Sequence, residues 1–336
     1  MAAMMRVREY AALFGLALIW GASFLFIKIA VSEVSPGTLV AGRLLCSLVT
    51  LGAIAALHRE LLTGWRRFTR YSLLVGSVNI TAPYLLIGWG EVSIASGTAS
   101  ILNATTPLFA VLLAHWWRGA GHEGLTWRRA GGVLVGFAGV ATLVGTEAFQ
   151  LGQSDPWALA GEGAVLLAAA CYAVGALLSR RYNQAAPLVG PIGSQAGALL
   201  LVLPVAALWS PPTQVPSVST IGAIVMLGVP GLAIAYLLYF WLIRQVGPTR
   251  TTLVTYLLPC TALVWGALLL GERISWNDLV GLALVLLGTM LTNGTLSALF
   301  RRRSSTPPVS VEAEAMPVGV AAPSVGEGVV GEGERV

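Results

Sequence analysis

The sequence predicts an all-α integral membrane protein in which ten transmembrane helices form two inverted five-helix repeats. Composition is the first observation behind this prediction. Of 336 residues, 56% are hydrophobic and 10% are charged, whereas an ordinary soluble domain has about 25% charged residues. Apolar runs of about 20 residues, long enough to cross roughly 30 Å of hydrocarbon, recur along nearly the whole chain. These runs are continuous, which excludes barrel strands, because such strands are about 10 residues long and alternate in polarity.

A pattern of scarce residues occurs twice and is the second observation. The pairs lie 152 positions apart: Tyr84 and Tyr236, Trp89 and Trp241, Pro107 and Pro259, Trp20 and Tyr172, Lys28 and Arg180, Arg43 and Gln195. After a three-residue slip the pairing continues with Glu123 and Glu272, Thr126 and Ser275, Trp127 and Trp276, Gly132 and Gly281, Gly139 and Gly288. Self-similarity at a fixed displacement indicates an internal duplication. It predicts a first repeat over 10–149 and a second over 150–299, preceded by a cytoplasmic N-terminus at 1–9.

Ten apolar segments are the predicted membrane spans. They are 10–31, 37–57, 71–91, 96–117, 129–147, 157–179, 188–209, 219–242, 251–270 and 277–298. With the N-terminus inside, Arg273 is the one arginine in an outer connector, while the inner side holds the rest of the connector arginines. This bias predicts a multi-pass protein of the cell membrane with both termini in the cytoplasm. It also accounts for the net charge of +5 without a nucleic-acid partner.

An odd number of helices in each repeat makes the second repeat cross the membrane in the opposite direction to the first. Inverted repeats of this kind are typical of carriers that expose a central site to one side of the membrane and then to the other. The repeat therefore favours alternating access over a structural or receptor role.

Prolines interrupt the central spans. Pro107 and Pro259 fall near the middle of spans 4 and 9, where each removes a backbone hydrogen bond and bends its helix. A freed carbonyl at membrane depth is tolerated where it is buried or faces a wet cavity. These prolines either line the substrate path or form a packing kink without a ligand, and the sequence leaves both readings open.

Ionisable residues within spans are costly, by about 2.5 to 3.5 kcal/mol each at the centre, and therefore require an explanation. Lys28, Arg43 and Glu91 could meet at the outward mouth, as an anion site or as a gate. Alternatively, Lys28 and Glu91 reach water and Arg43 pairs with one acid as a structural clamp. Glu162, over a turn into span 6, is a candidate for proton coupling.

Aromatic and amide side chains supply the other candidates for substrate binding or gating. They are Trp20, Asn79, Tyr84, Trp89, Asn103, Tyr172, Gln195, Tyr236, Trp241 and Tyr256. Aromatic walls with a few amides suit an amphipathic organic solute better than a bare ion, which would need rings of carbonyls or carboxylates. For any one of these side chains ordinary packing is the competing explanation.

Cysteines, glycines and the tail predict no chemistry. Cys46, Cys171 and Cys260 are isolated in apolar segments, so neither a metal site nor a cofactor is predicted. The glycines of spans 5 and 10 suit close helix packing or a homodimer face. Residues 300–336 are rich in Pro, Gly, Ser and Glu and predict a disordered cytoplasmic tail.

The opening segment resembles that of the EamA module of the drug/metabolite transporter superfamily. The resemblance rests on Trp20-Gly21, Lys28, Pro36 and Arg43, and on two similar module endings in which Pro107 precedes Glu123 and Trp127, and Pro259 precedes Glu272 and Trp276. It covers about residues 10–298. It implies a ten-helix carrier, and many such carriers export amino acids or other metabolites, while some export drugs.

These observations together predict a secondary transporter and not an enzyme. Export of an amino acid or related metabolite is the first expectation. A drug or a phosphorylated or nucleotide-sugar cargo is the alternative, and the latter would need more basic residues in the cavity than Arg43 and Lys28. A channel or a membrane-embedded enzyme is the different class. The expected partners are a small-molecule substrate and the lipid bilayer, with proton coupling left open.

The inverted arrangement makes a topological prediction. Reporters fused after residue 150 and after residue 336 should lie on opposite sides of the membrane, because five spans separate the start of each repeat from its end. Alkaline phosphatase should be active at 150 and inactive at the C-terminus, with green fluorescent protein giving the reverse, and a fusion after residue 58 serves as the cytoplasmic control. The same side for 150 and 336 would rule out opposed repeats.

Overall fold

The computed structural model describes residues 6–58, 77–116, 126–149, 155–182, 189–209 and 214–293. In these ranges the chain is helical and contains no β-strand. The expected tail over 300–336 lies outside them. The all-α prediction is thus confirmed for the part of the chain that the structure describes.

Helices of the first half follow the predicted spans closely. They are α1 (Val7–Val31), α2 (Pro36–Leu57), the π-helical segment π1 (Ser77–Thr81), α3 (Ala82–Ser93), α4 (Ser96–Asn103), α5 (Thr106–Trp116) and α6 (Trp127–Phe149). Ser35 begins α2, since its hydroxyl accepts a hydrogen bond from the Thr38 amide at 3.2 Å and Pro36 occupies the first helical position, where a missing N–H costs nothing.

Helices of the second half come next along the chain. They are α7 (Pro156–Tyr182), α8 (Val189–Trp209), α9 (Val218–Gly228), π2 (Val229–Ile234), α10 (Ala235–Val246), α11 (Pro248–Thr251), α12 (Val254–Trp265), π3 (Gly266–Leu270) and α13 (Trp276–Thr292). Ser275 and Asp278 form a capping box at the start of α13, with the Asp278 amide donating to the Ser275 hydroxyl and the Ser275 amide to the Asp278 carboxylate. The sequence predicted this box from the spacing of the two residues.

Within the described ranges, six helical stretches are long and apolar enough to cross a membrane. They are Val7–Val31, Pro36–Leu57, Ser96–Trp116, Pro156–Leu178, Gly190–Leu208 and Val218–Val246, and Val254–Leu270 and Trp276–Thr292 are shorter apolar helices. Large apolar side chains such as Leu134 and Leu200 are exposed on the outside of the bundle, as expected where lipid replaces water. The chain is therefore an integral membrane protein.

Interruptions of the central helices differ in detail from the expectation. Span 4 breaks at Ala104 and Thr105, ahead of Pro107, which is the second residue of α5. The hydroxyl of Thr106 donates to the carbonyl of Asn103 at 2.8 Å, and this carbonyl is the one that Pro107 cannot bond. The backbone group that the proline frees is thus satisfied locally. Pro259, in contrast, is buried inside α12.

Two glycine pairs bring α6 and α13 into close contact. A Cβ added at Gly132 would lie 2.8 Å from the carbonyl oxygen of Gly288, and one at Gly139 would lie 2.8 Å from that of Gly281. Small residues at these positions let the two backbones approach each other. The predicted glycine faces therefore pack on each other within one chain.

Adjacent glycines of α6 provide a matched test of this packing. Gly132→Leu should lower the free energy of unfolding by about 1 to 3 kcal/mol, because the new side chain must displace the α13 backbone. Gly131→Leu is the control, since a Cβ at Gly131 meets nothing within 4 Å. Thermal unfolding of both variants in detergent measures the difference, and equal stabilities would contradict the packing.

Candidate functional site

A cation and three phenols from four helices meet inside the bundle. The guanidinium carbon of Arg43 on α2 lies 4.1 Å from the ring centre of Tyr84 on α3, which is a favourable cation–π distance. The hydroxyls of Tyr84 and Tyr236 on α10 are hydrogen-bonded to each other. The ring of Tyr172 on α7 stands edge-on to that of Tyr84, with centres 6.5 Å apart. We call these four residues the Arg43 cluster.

Arg43 on α2 and Gln195 on α8, two helices that pack against each other, have buried polar atoms without hydrogen-bond partners. Arg43 is 5% exposed and its Nε has no hydrogen-bond partner. Gln195 on α8 is 0% exposed, and both its amide nitrogen and its amide oxygen lack partners. Buried polar atoms are nearly always hydrogen-bonded, so these side chains can accept a polar ligand without first breaking an internal bond.

Within the described ranges Arg43 has no acidic partner, and the salt bridge found there joins Arg8 and Glu9. The structural clamp considered from the sequence, in which Arg43 pairs with an acid, therefore does not form there. The cation is instead held against the Tyr84 ring. An aromatic face leaves the donors of a guanidinium available for a carboxylate or phosphate.

Lys28 and Glu91 meet at one end of α3, but not as an ion pair. The ammonium of Lys28 donates to the backbone carbonyls of Glu91 at 2.6 Å and of Ile94 at 2.8 Å. The Glu91 side chain is 0% exposed, and neither of its carboxyl oxygens has a hydrogen-bond partner. The alternative in which Glu91 reaches water is therefore wrong.

Other predicted aromatic residues have partners outside the Arg43 cluster. Trp20 lies 5.5 Å from Tyr239, ring centre to ring centre, and Trp241 packs in the same apolar cluster as Trp20. Trp89 is 41% exposed and edge-on to Trp157. The Tyr256 hydroxyl accepts a hydrogen bond from the Asn293 amide at 2.9 Å. Of these predicted residues, Trp89 is the one whose side chain is exposed.

The remaining predicted residues occupy helix junctions. Asn79 in π1 lies so close to Gly175 that a Cβ on that glycine would overlap it. Asn103 ends α4, and its side-chain oxygen is buried without a partner. Glu162 on α7 is 3% exposed. It directly follows Gly161, whose carbonyl would lie 2.7 Å from a Cβ on Gly90 of α3.

Two acidic residues that the sequence did not place among the site candidates bind helix N-termini across the chain. The carboxylate of Glu272 accepts hydrogen bonds from the Ser96 amide at 2.8 Å, the Ser96 hydroxyl at 2.9 Å and the Gly97 amide at 3.1 Å. That of Glu33 accepts from the amide and hydroxyl of Ser217, at 2.8 and 2.7 Å. Glu272 follows Gly271, which has a left-handed φ of 67°. A Gly-Glu pair after an apolar run was the available signal, although its partner is far away in sequence.

A separate cavity of about 210 Å³ lies between α1, α9 and α12. Its walls are apolar and include Ala22, Met226, Pro230 and Trp265. It does not include any member of the Arg43 cluster. Among the described residues no group of three or more metal-ligating side chains occurs.

Comparison with known proteins places this geometry in a family. The model of the EamA-like transporter family matches the chain twice, over residues 8–145 and 159–294. The chain belongs to the EamA-like transporter family. A probable terminal-alkyne amino-acid exporter from Streptantibioticus cattleyicolor is 30% identical over 86% of this chain and 94% of the relative.

A further relative of this EamA-like transporter is also named as a transporter, and a solved structure has the same fold. An uncharacterized inner membrane transporter, YedA, of Escherichia coli is 28% identical over 85% of this chain and 92% of the relative. A solved crystal structure superposes with a TM-score of 0.61 and 20% identity, covering 90% of this chain and all of the other, which shows a shared fold. The family and the apolar helices together make this chain a membrane transporter.

The contact between Glu33 and Ser217 makes the stability of the folded transporter depend on pH. The backbone N–H of Ser217, and then the hydroxyls of Ser217 and Thr220, lower the pKa of Glu33 from its ordinary 4.5. A depressed folded-state pKa stabilises the protein above the unfolded pKa, and the contribution is lost as pH falls through the folded value. Glu33→Gln should therefore reduce the melting temperature at neutral pH and have progressively less effect below pH 4.5.

Thermal unfolding in detergent over this pH range measures the effect. Ser217→Ala provides the matched background, in which Glu33→Gln should cost less because one of its donors has gone. A difference between Glu33→Gln and wild type that is the same at acidic and neutral pH would contradict the assignment.

Proposed function

We propose that this chain is a secondary active transporter that exports an amino acid or related small metabolite by alternating access. The observation that carries the proposal is the buried Arg43 cation, which is held on an aromatic face without an acidic partner in the described ranges. A permanent charge in that position is costly. A substrate carboxylate would neutralise it, and a guanidinium binds a carboxylate through two parallel hydrogen bonds.

The surroundings of Arg43 suit the rest of an amino acid. Three phenols offer hydroxyls and ring faces, and Gln195 offers an unpaired amide on the neighbouring helix. A phosphorylated or nucleotide-sugar cargo would call for further cations. Lys28 is not available for that purpose, because its ammonium bonds two backbone carbonyls. The name of the Streptantibioticus cattleyicolor relative, a probable amino-acid exporter, points to the same class.

Ten spans in two inverted repeats, with both termini in the cytoplasm, complete the proposed architecture. The family model matches one half of the chain and then the other. The π-helical segments that start at Ser77 and Val229 lie 152 positions apart, which is the displacement of the sequence repeat. The Arg43 cluster draws on both halves, with Tyr84 and Tyr236 as repeat-related partners. A shared site between related halves is what alternating access requires.

Counterflow in liposomes tests the proposal. Protein reconstituted with one unlabelled L-amino acid inside should accumulate the same labelled amino acid from outside, and a panel of amino acids identifies the preferred one. Each should be paired with its amide, which lacks the carboxylate. The amide should exchange about tenfold or more slowly, because a hydrogen bond to a charged group contributes about 1.5 to 3 kcal/mol.

Substitutions in the site should follow the same pattern. Arg43→Ala should lower the rate at least about tenfold, with membrane insertion retained. Arg244→Ala, which removes an exposed arginine on α10, is the control. Wild-type rates in Arg43→Ala, or equal rates for acid and amide, would remove the carboxylate from the mechanism. Flux without counterflow would indicate a channel, and conversion of the amino acid would indicate an enzyme.

A further inference from the structure

Glu91 is set apart from the other described interhelical acids by what its carboxyl group contacts. Glu272 accepts three hydrogen bonds and Glu33 accepts two. Glu91 is 0% exposed and accepts none. An ionised carboxylate in this position would have neither water nor a donor to stabilise its charge, and such groups become neutral instead.

Four elements near Glu91 carry an ionisable residue. From α1, Lys28 lies within electrostatic reach, but its ammonium bonds the Glu91 and Ile94 carbonyls. From α2, Arg43 is also in reach and lies over the Tyr84 ring. From the turn after π3, Glu272 adds a negative charge. From α7, Gly161 packs closely against Gly90. The residue after Gly161 is the acid Glu162.

We propose that Glu91 is a proton-binding site of this transporter, occupied by a proton in the conformation described here and emptied in the opposite one. Lys28 supplies the switch. Its ammonium already bonds the carbonyl of Glu91 itself at 2.6 Å, so a change of side-chain rotamers brings the ammonium onto the carboxylate once the proton leaves. Protonated Glu91 then corresponds to Lys28 on the carbonyls, and ionised Glu91 to a Lys28–Glu91 ion pair.

Position along α3 connects this proton to the substrate. Glu91 follows Tyr84 by seven residues, which is about two helical turns or roughly 10 Å on the same helix. Tyr84 holds the Arg43 cation that we propose for the carboxylate. A movement of α3 that changes one of these contacts therefore changes the other. The coupling rests on the proposed function, and it makes the transporter an exchanger of one proton for one substrate molecule.

Infrared spectroscopy tests proton binding without a substrate. Purified wild-type protein at neutral pH should show a carbonyl-stretch band of a protonated, non-hydrogen-bonded carboxylic acid, and this band should vanish on alkaline titration. Glu91→Gln should lack the band from the start. Glu162→Gln is the matched control and should retain it. Absence of the band in wild type, or its persistence in Glu91→Gln, would overturn the proton site.

Reconstitution tests the coupling. Liposomes that hold a pH-sensitive dye and the amino acid with the fastest counterflow should show proton movement when that amino acid leaves. Glu91→Gln imitates the protonated acid and cannot release a proton, so it should abolish the coupled proton flux. Proton flux at the wild-type level in Glu91→Gln would overturn the coupling. If no amino acid shows counterflow, the proposed function fails while the infrared result still decides the proton site.

Discussion

Polar atoms inside a membrane bundle must find partners within the protein, because hydrocarbon offers no hydrogen bonds. This constraint organises the structure. Lys28 places its ammonium on two carbonyls at the end of α3, and Glu272 satisfies the free amides at the start of α4. Each of these contacts joins helices that are distant in sequence. Polar groups that meet the constraint therefore hold the bundle together, and those that do not meet it mark the site.

Positions related by the sequence repeat carry matching side chains in one case and different ones in another. Tyr84 and Tyr236 are the same residue type in both copies, and their hydroxyls bond each other. Arg43 and Gln195 are also repeat partners, but one carries a charge and the other is neutral. Two arginines at these positions would leave a buried charge of +2. The single carboxylate of the proposed amino-acid substrate would neutralise only half of it. The exchange of a cation for an amide keeps the polar character at both positions and limits the electrostatic cost.

The sequence predicted the helical class, the family and residues that cap helix ends, because these depend on local patterns. The capping box of Ser275 and Asp278 is an example, since its two residues are three positions apart. Contacts between distant residues were less accessible. Glu272 was predicted only as part of the repeated module ending, yet it binds residues more than 170 positions away. No local pattern predicted the π-helical segments. Trp89 matched its repeat partner Trp241 in sequence but is 41% exposed, whereas Trp241 is half-buried, because the repeat alone does not determine how far each side chain is buried.

Capping of α4 by Glu272 also bears on how evenly the two copies can exchange roles. The repeat pairs Glu272 with Glu123 and Ser96 with Pro248. Proline has neither a backbone N–H nor a hydroxyl, so Pro248 cannot offer an acid the two bonds that Ser96 gives to Glu272. The second copy thus lacks two of the three donors that the Glu272 cap uses. Two conformations that exchange the roles of the copies would therefore differ in free energy, because only one of them can form these hydrogen bonds. The binding free energy of a substrate or a proton must then offset this difference for both conformations to be populated.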